Sequence, residues 1–350
     1  MDPITQAVLG AAAPQLVSKP KLLAKAGIMG AAAGMSADLD VIIRSPFDSL
    51  LFLEYHRHFT HSFAFIPFGA LICALVLHRF LGVRWEFSFR QSYLYCFLGY
   101  ATHGLTDACT TYGTMLFWPF NNIRVAWNTV SVVDPAYTIP LLTAVLITAI
   151  KKKPWIIRTA LIWIFLYPAL GLYQSNKAED FAKQSITQST AQPQSTTQPS
   201  SLSDKALLSL SAKPSFGNIV LWKIIYETDT HFYVDAVRVG LFQQRDEWQY
   251  FKGEKIEKLD IARDFSWLDP DSQQAKDIER FRWFSNGYIA KDPEHQYRIV
   301  DIRYSMIPNQ IKALWSITLN PNASPDEHAT YDSHRDSSKE TRDTFYKMLF

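Results

Sequence analysis

The chain has 350 residues, enough for two domains, and its 35 Lys and Arg against 33 Asp and Glu leave a net charge of +2. This near-neutral balance gives no indication of a nucleic-acid partner. The three cysteines, Cys73, Cys96 and Cys109, have a spacing that matches no zinc ribbon or disulfide framework, so we expect buried free thiols. The first half is far more apolar than the second, which indicates a membrane-like half followed by a polar one.

Six apolar stretches in the first half predict an α-helical integral membrane domain over residues 1–175. A helix that crosses a hydrocarbon core of ~30 Å needs about 20 residues, and residues 63–83 and 156–173 reach or approach this length. The two earliest stretches are rich in Ala and Gly, which allow helices to pack closely within a membrane. We therefore expect about six membrane-embedded helices, from the following stretches: 5–17, 26–43, 63–83, 91–113, 134–150 and 156–173.

The distribution of positive charge predicts an orientation for this domain. Lysines and arginines concentrate in the loops after the first, third and fifth predicted helices, for example Lys19, Lys21, Lys25 and residues 151–153. The positive-inside rule assigns those loops to the cytoplasm. The segment YHRHFTHS and everything after the sixth helix would then face outward, as expected for a multi-pass membrane protein with an extracytoplasmic C-terminal domain.

The second half begins with a polar linker and continues with a smaller soluble domain. Residues 176–212 include QSITQSTAQPQSTTQPSS, whose composition cannot bury enough apolar surface to fold and predicts a flexible linker. Residues 213–350 show the alternation of strands in GNIVLWKIIYET, HFYVDAVRVG, YRIVDIRYSMI and ALWSITLN. We predict a mainly antiparallel β (α+β) domain that ends in a short helix and a tail.

Among the ionisable residues within or beside the predicted membrane helices, five are candidate functional residues, because charge is costly there and usually functional. Asp38 and Asp40 lie in GMSADLDVII, and His61 is the last of the three histidines in YHRHFTHS, the histidine cluster. His103 and Asp107 are four residues apart and therefore on one helical face. Imidazole and carboxylate together suit zinc, manganese or iron. A divalent metal, zinc first among these, would neutralise the aspartates and lower the pKa of a bound water.

Simpler interpretations of these residues stay open at the level of sequence. His103 and Asp107 could bond only to each other, as an i,i+4 pair. Asp38 could cap a helix end, and Thr60 or Ser62 could cap the helix that follows. Under the predicted topology all five residues lie toward the outer half of the bilayer. This coincidence of three segments at one depth nevertheless favours a metal site.

The motifs as a set resemble a known family. MDPITQAVLGAA, ADLDVI, HRHFTHS and HGLTDACTTYGT occur in the order typical of the YdjM-like family of inner-membrane, metal-dependent hydrolases. The resemblance covers about residues 1–140. Gln6 stands where some members have His, and His58 stands where Gly is common.

The resemblance implies Asp38, Asp40, His61, His103 and Asp107 as the metal-site residues. His56 and Arg57 match the H-R of the third motif, which implies a general acid or base and a group that stabilises developing negative charge on phosphate. A suggested relation of the family to zinc-dependent phospholipase C and S1/P1 nuclease implies a phosphoester substrate.

Three functional hypotheses follow from the sequence. The first is a membrane-bound metal-dependent hydrolase that acts on a phosphoester of a lipid or lipid-linked substrate at the outer face of the membrane. The second is a transporter or ion-relay protein that uses the same His and Asp set. The third is a non-catalytic membrane protein that binds a partner through its outer domain; the sequence leaves the oligomeric state open.

Overall fold

A computed structural model of the chain describes residues 1–191 and 207–350. The chain forms two compact units. The helical unit comprises Met1–Ile43, Tyr55–Leu172 and Phe216–Ile219, and the β unit comprises Arg44–Glu54, Tyr173–Ser215 and Val220–Phe350.

In the described part of the chain, seven α-helices precede the first β strand. In chain order they are α1 Pro3–Val17, α2 Leu23–Met35, α3 Leu51–Tyr55, α4 Ile66–Leu77, α5 Phe89–Ala108, α6 Pro135–Lys151 and α7 Pro154–Ala191. Side-chain caps begin three of the helical unit's long helices. Asp2 accepts hydrogen bonds from backbone amides of α1, Ser88 and Gln91 form a capping box at α5, and Asp134 caps α6.

Glycines bring α1, α2 and α5 into close contact. A Cβ atom added at Gly99 would lie 2.3 Å from the carbonyl oxygen of Gly30, and one at Gly10 would lie 2.6 Å from the same oxygen. Real Cβ atoms cannot approach so closely, so glycine is required at these crossings. The sequence prediction that Ala and Gly allow close packing here is consistent with these contacts.

The prediction of about six membrane-embedded helices is supported only in part, because fewer helices are candidate spans. Helices occur at all six predicted places, but within the described residues only Phe63–Gly82 and Pro154–Gln188 are long and apolar enough to cross a membrane. α1, α2 and α6 have 15, 13 and 17 residues, which is short of a span. α5 has 20 residues but carries the polar face of His103 and Asp107.

Both candidate spans expose most of their apolar surface. Of the apolar window in each, 22% is buried in Phe63–Gly82 and 17% in Pro154–Gln188. A core helix of a water-soluble protein would be mostly buried, so this exposure favours contact with lipid.

The predicted linker overlaps regular structure at both ends. α7 continues to Ala191, so residues 176–191 are helical, and the first strand begins at Ser209. Residues 192–206 lie outside the described part of the chain.

The β unit contains two antiparallel four-stranded sheets, with strand orders β1-β2-β3-β4 and β5-β6-β7-β8. Their strands are β1 Ser209–Pro214, β2 Leu221–Glu227, β3 His231–Arg238, β4 Gln249–Glu257, β5 Ile289–Lys291, β6 Arg298–Asp301, β7 Trp315–Thr318 and β8 Thr330–Ser333. The antiparallel prediction is confirmed. The four predicted strands correspond to β2, β3, β6 and β7, the inner strands of the two sheets.

Three helices accompany the sheets: α8 Ile261–Asp264, α9 Gln273–Phe284 and α10 Lys339–Leu349. The predicted helix near the end of the chain is α10, whereas α9 was not predicted. A buried apolar cluster that includes Ile225, Val234, Val300 and Ile302 joins residues of both sheets.

Candidate metal centre

Three segments of the helical unit supply the candidate site. The 3-10 turn Ser36–Ile42, directly after α2, carries Asp38 and Asp40. The stretch between α3 and α4 carries His56, Arg57 and His61. α5 carries His103 and Asp107 one turn apart, as their spacing predicted.

Four of the predicted ligands converge. The Oδ1 atom of Asp38 lies 3.4 Å from Nε2 of His61 and 3.3 Å from Nε2 of His103. The Oδ2 atom of Asp107 lies 3.2 Å and 3.6 Å from the same two nitrogens. One ligand atom from each of the four residues lies within 4.8 Å of the others, so together they could hold a metal ion.

The hydrogen bonding of this quartet fits a cation. His61 Nε2, His103 Nε2 and Asp107 Oδ2 are buried and have no partner in good hydrogen-bond geometry; their contacts with each other, with Asp38 and with Arg57 are ion-pair contacts of 3.1–3.6 Å. Buried polar atoms are almost always paired, and several unpaired ones facing a common point need an explanation. Two imidazole nitrogens and two carboxylate oxygens are a donor set suited to zinc and to other first-row divalent ions.

Both histidine rings are held from their far edge. His103 Nδ1 hydrogen-bonds to the carbonyl oxygen of Gly34. His61 Nδ1 lies 2.9 Å from the Thr60 hydroxyl and 3.3 Å from Asp40 Oδ2. A partner at Nδ1 fixes the ring and turns the Nε2 lone pair towards the opposite side, as in metal-binding histidines generally.

Asp40 lies beside the quartet rather than within it. Its Oδ2 accepts hydrogen bonds from the Arg57 amide at 3.0 Å and the Thr60 hydroxyl at 2.8 Å, and its Oδ1 contacts His56 Nδ1 at 2.8 Å. Asp38, Asp40 and His56 form a second group with metal-ligand spacing. Asp38 therefore belongs to both groups.

Burial raises the pKa values of the Asp38 and Asp40 carboxyls, but the interactions with neighbouring histidines outweigh this effect. His103 and His61 hold the pKa of Asp38 well below its usual range. His56 and His61 do the same for the pKa of Asp40. Both carboxyls are therefore charged near neutral pH, which is the state required to attract a cation.

Arg57 is buried against Asp107. Its Nε lies 3.1 Å from Asp107 Oδ2, its Nη1 donates to the Thr110 hydroxyl at 3.0 Å, and its guanidinium lies 4.6 Å from the Tyr112 ring centre. Its backbone has a φ of +63°, unusual for a residue other than glycine. These contacts orient Asp107, and the stabilisation of negative charge on a substrate by Arg57 stays a prediction.

Residues outside the predicted set complete the surroundings of Asp107. Gln6 Nε2 donates to Asp107 Oδ1 at 2.8 Å, and the amino group of Met1 hydrogen-bonds to the same oxygen. The first motif, MDPITQAVLGAA, could have indicated Gln6, because it belongs to the same set of motifs as the other site residues. The sequence predicts Thr60 or Ser62 as a helix cap. Ser62 is the cap, because its side chain accepts a hydrogen bond from the Phe65 amide, whereas Thr60 donates to Asp40.

His58 points into aromatic surroundings instead of the quartet. Its ring lies 5.8 Å from Tyr55, 5.7 Å from Trp118 and 6.1 Å from Phe59, measured between centroids. The histidine cluster is thus divided between His61 in the quartet, His56 beside Asp40 and His58 among rings.

Comparison with known proteins supports the family resemblance. Uncharacterized protein YfhP of Bacillus subtilis (strain 168) is 26% identical over 163 residues, which cover 45% of this chain and 49% of that protein. The chain therefore spans about half the length of this curated relative. No solved structure matches. The family model described as YdjM inner membrane protein matches residues 1–178, which include the whole candidate metal centre, and the chain belongs to this family.

Proposed function

We propose that the chain is a membrane-bound metal-dependent hydrolase that acts on a phosphoester. The observation that carries this proposal is the convergence of three buried, hydrogen-bond-deficient atoms, His61 Nε2, His103 Nε2 and Asp107 Oδ2, on Asp38 Oδ1. An ion-free core would hold these atoms only through ion-pair contacts that lack good hydrogen-bond geometry, which is unfavourable for buried polar groups.

Asp38, His61, His103 and Asp107 would hold the ion. A divalent ion bound there supplies Lewis-acid chemistry that makes hydrolysis of a phosphoester accessible near neutral pH. Zinc fits the donor set first, and manganese or iron fit it as alternatives. Arg57, Gln6 and the Gly34 carbonyl fix the positions of these ligands through the contacts described above.

His56 is the candidate general acid or base. Its Nδ1 is bonded to Asp40 Oδ1 at 2.8 Å, and 17% of its side chain is exposed, so the other ring nitrogen can exchange a proton with a substrate or water. Burial lowers the pKa of His56, against the opposing effect of Asp40. A carboxylate that orients an imidazole in this way is a recurring arrangement in hydrolytic sites.

The family description supports a place in the inner membrane. We further propose that the metal centre and the β unit lie on the extracytoplasmic side, on the basis of the distribution of Lys and Arg in the sequence. Reporter fusions at Ser49 and at the C-terminus would both show extracytoplasmic activity, and a cytoplasmic signal from either contradicts this topology.

Elemental analysis of the purified, detergent-solubilised protein tests the metal centre directly. We expect at least stoichiometric zinc, manganese or iron in the wild type and loss of the metal in His61→Ala and Asp107→Asn. His78→Ala is the matched control, because His78 bonds to Ser92 outside the site and should keep its metal. Equal metal content in all four proteins would contradict the assignment.

Hydrolysis is tested separately with a chromogenic phosphodiester. We expect turnover by the metal-loaded wild type and a loss of about 10²–10⁴-fold for His56→Ala, the range of general acid–base catalysis. Metal binding without turnover, together with metal flux into proteoliposomes, would favour the ion-relay alternative.

A further inference from the structure

An apolar groove of about 520 Å³ lies in the helical unit beside the metal centre. Its volume falls within the range of small-molecule pockets, roughly 300–1,000 Å³. Its walls come from α2, the Ser36–Ile42 turn, the stretch before α4, most of the length of α4, and Tyr100 of α5. The apolar part of the wall includes Leu39, Ile43, Phe59, Phe65, Ile72 and Val76.

The polar groups of the groove include Ser36, Asp40 and Thr60. Thr60 donates to Asp40 Oδ2 at 2.8 Å, and the same carboxylate oxygen lies 3.3 Å from Nδ1 of His61. Tyr100, another wall residue, donates its hydroxyl to the Thr60 carbonyl at 2.8 Å. The groove wall and the metal centre are therefore joined through Asp40 and Thr60.

The apolar wall is continuous with a surface suited to a bilayer. α4 forms the middle of the candidate span Phe63–Gly82. Ile72 and Val76 line the groove and are 56% and 51% exposed, while Leu75, on the same helix but outside the groove, is 59% exposed. Such a band of exposed aliphatic side chains is stable against hydrocarbon and unfavourable against water.

The absence of a side chain at Gly69 keeps this wall compact. A Cβ atom at Gly69 would lie 2.4 Å from Cζ of Tyr100, so α4 rests directly on the Tyr100 ring. This contact places α4 beside the residue that bonds to Thr60, at the junction of groove and site.

We infer that the groove binds the hydrocarbon chain of a membrane lipid, with the head group of that lipid at the end of the groove where Asp40 and Thr60 join it to the metal centre. The occupant follows from two properties of the groove: an apolar wall shared with a candidate span and polar groups shared with the site. A water-soluble phosphoester would not require the apolar wall, and a lipid with a purely structural role would not require the polar groups. The assignment of this lipid as substrate rests on the proposed function, whereas its binding does not.

Photo-crosslinking with the metal removed tests binding by itself. The full-length protein is reconstituted in vesicles with a phospholipid that carries a diazirine in its acyl chain, and labelling of the peptide that contains Ser36–Ile42 is measured by mass spectrometry. Ile72→Trp fills the groove, and Leu75→Trp places the same side chain on the same helix outside it. Both variants are checked for unchanged elution and helical content.

We expect Ile72→Trp to reduce labelling of this peptide about tenfold, equivalent to the loss of ~1.4 kcal/mol of binding free energy. Leu75→Trp should label like the wild type. Equal labelling of both variants would overturn the inference, whether or not the protein hydrolyses anything.

The substrate assignment is tested with two phosphodiesters that share a head group, one with a long acyl chain and one with a short soluble chain. After metal loading, Ile72→Trp should lose kcat/KM for the long-chain compound and keep it for the short one. Equal loss for both compounds would overturn the assignment. If groove labelling behaves as expected but the wild type hydrolyses neither compound, lipid binding stands and the proposed hydrolase function fails.

Discussion

Asp40 Oδ2 lies 3.3 Å from Nδ1 of His61, on the ring edge opposite the one that faces Asp38 and Asp107. The same oxygen accepts hydrogen bonds from Thr60 and from the backbone amide of Arg57. One carboxylate thus fixes both a candidate ligand and the turn that positions Arg57. Asp38 and Asp40 are alike in sequence but differ in what they contact.

Asp40→Asn should weaken metal affinity by about 10–100-fold, the usual effect of changing a residue that orients a ligand. Asp38→Asn should weaken it more, because Asp38 Oδ1 faces both His61 and His103 directly. Competition with a chelator of known zinc affinity measures both variants. Equal losses would mean that the two aspartates have the same role, contrary to the geometry.

Gly99→Ala should destabilise the helical unit. The added methyl would lie 2.3 Å from the carbonyl oxygen of Gly30, so α2 and α5 must separate. Overpacking of this kind costs ~1–3 kcal/mol, and it also shifts the helix that carries His103. Thermal unfolding in detergent, followed by helical circular dichroism, measures the effect. Leu94→Ala, at an exposed position of the same helix, should change the melting temperature little; a similar shift for both variants would contradict the packing argument.

The inner strands of the β unit could be predicted from sequence, and the outer strands could not. β2, β3, β6 and β7 have neighbours on both sides, and their apolar residues give a clear pattern. β1, β4, β5 and β8 are the edges of the two sheets. Edge strands are commonly short or charged, which protects them from pairing with other chains. β4, with the sequence QYFKGEKIE, and β5, with three residues, follow this rule.

The candidate site shows a similar division. Asp38, His61, His103 and Asp107 could be predicted because charged or titratable side chains stand out in apolar segments. The contacts that orient them could not. The position of Arg57 depends on a backbone φ of +63°, and Gln6 reaches Asp107 across 101 residues of sequence. Such relations arise only from tertiary packing.

Arg280→Met should strongly destabilise the β unit. The Arg280 guanidinium contacts Asp48 at 2.8 Å, Glu54 at 2.5 Å and Asp277 at 2.8 Å. Asp277 is fully buried, and removal of the charged partner of a buried ion pair costs about 3–5 kcal/mol. His328 and the Ala329 amide also bond to Asp277, so we expect the lower end of that range.

Arg282→Ala is the matched control for this prediction. Arg282 lies on the same helix and pairs with Glu279 at 3.2 Å, but both side chains are substantially exposed. Such surface pairs contribute ~0–1 kcal/mol. Hydrogen exchange of the α9 amides in the full-length protein compares the two variants. Similar protection in both would show that the three-carboxylate cluster contributes little.

Lys223 should make the stability of the β unit depend on pH. Lys223 is buried, and its Nζ donates to the Ser305 hydroxyl at 2.7 Å and to the Gln310 carbonyl at 2.9 Å. Burial lowers the pKa of Lys223 to about 7, although Asp301 and Glu254 oppose the shift. Below pH 7 the Lys223 amine is charged in both the native and the unfolded chain. The native chain then bears the full free-energy cost of burying the charge.

Between about pH 7 and pH 10 the unfolded chain holds this proton and the native chain does not, so native stability rises with pH by up to ~1.4 kcal/mol per unit. Lys223→Met removes this titrating group at similar length, and the variant should show a smaller rise, with the part due to buried Lys213 remaining. Hydrogen exchange of the β2 amides in the full-length protein, measured for both proteins at each pH from 6.5 to 9 and corrected for intrinsic rates, gives the difference directly. If the two proteins show the same pH profile, Lys223 is charged in the native state throughout this range.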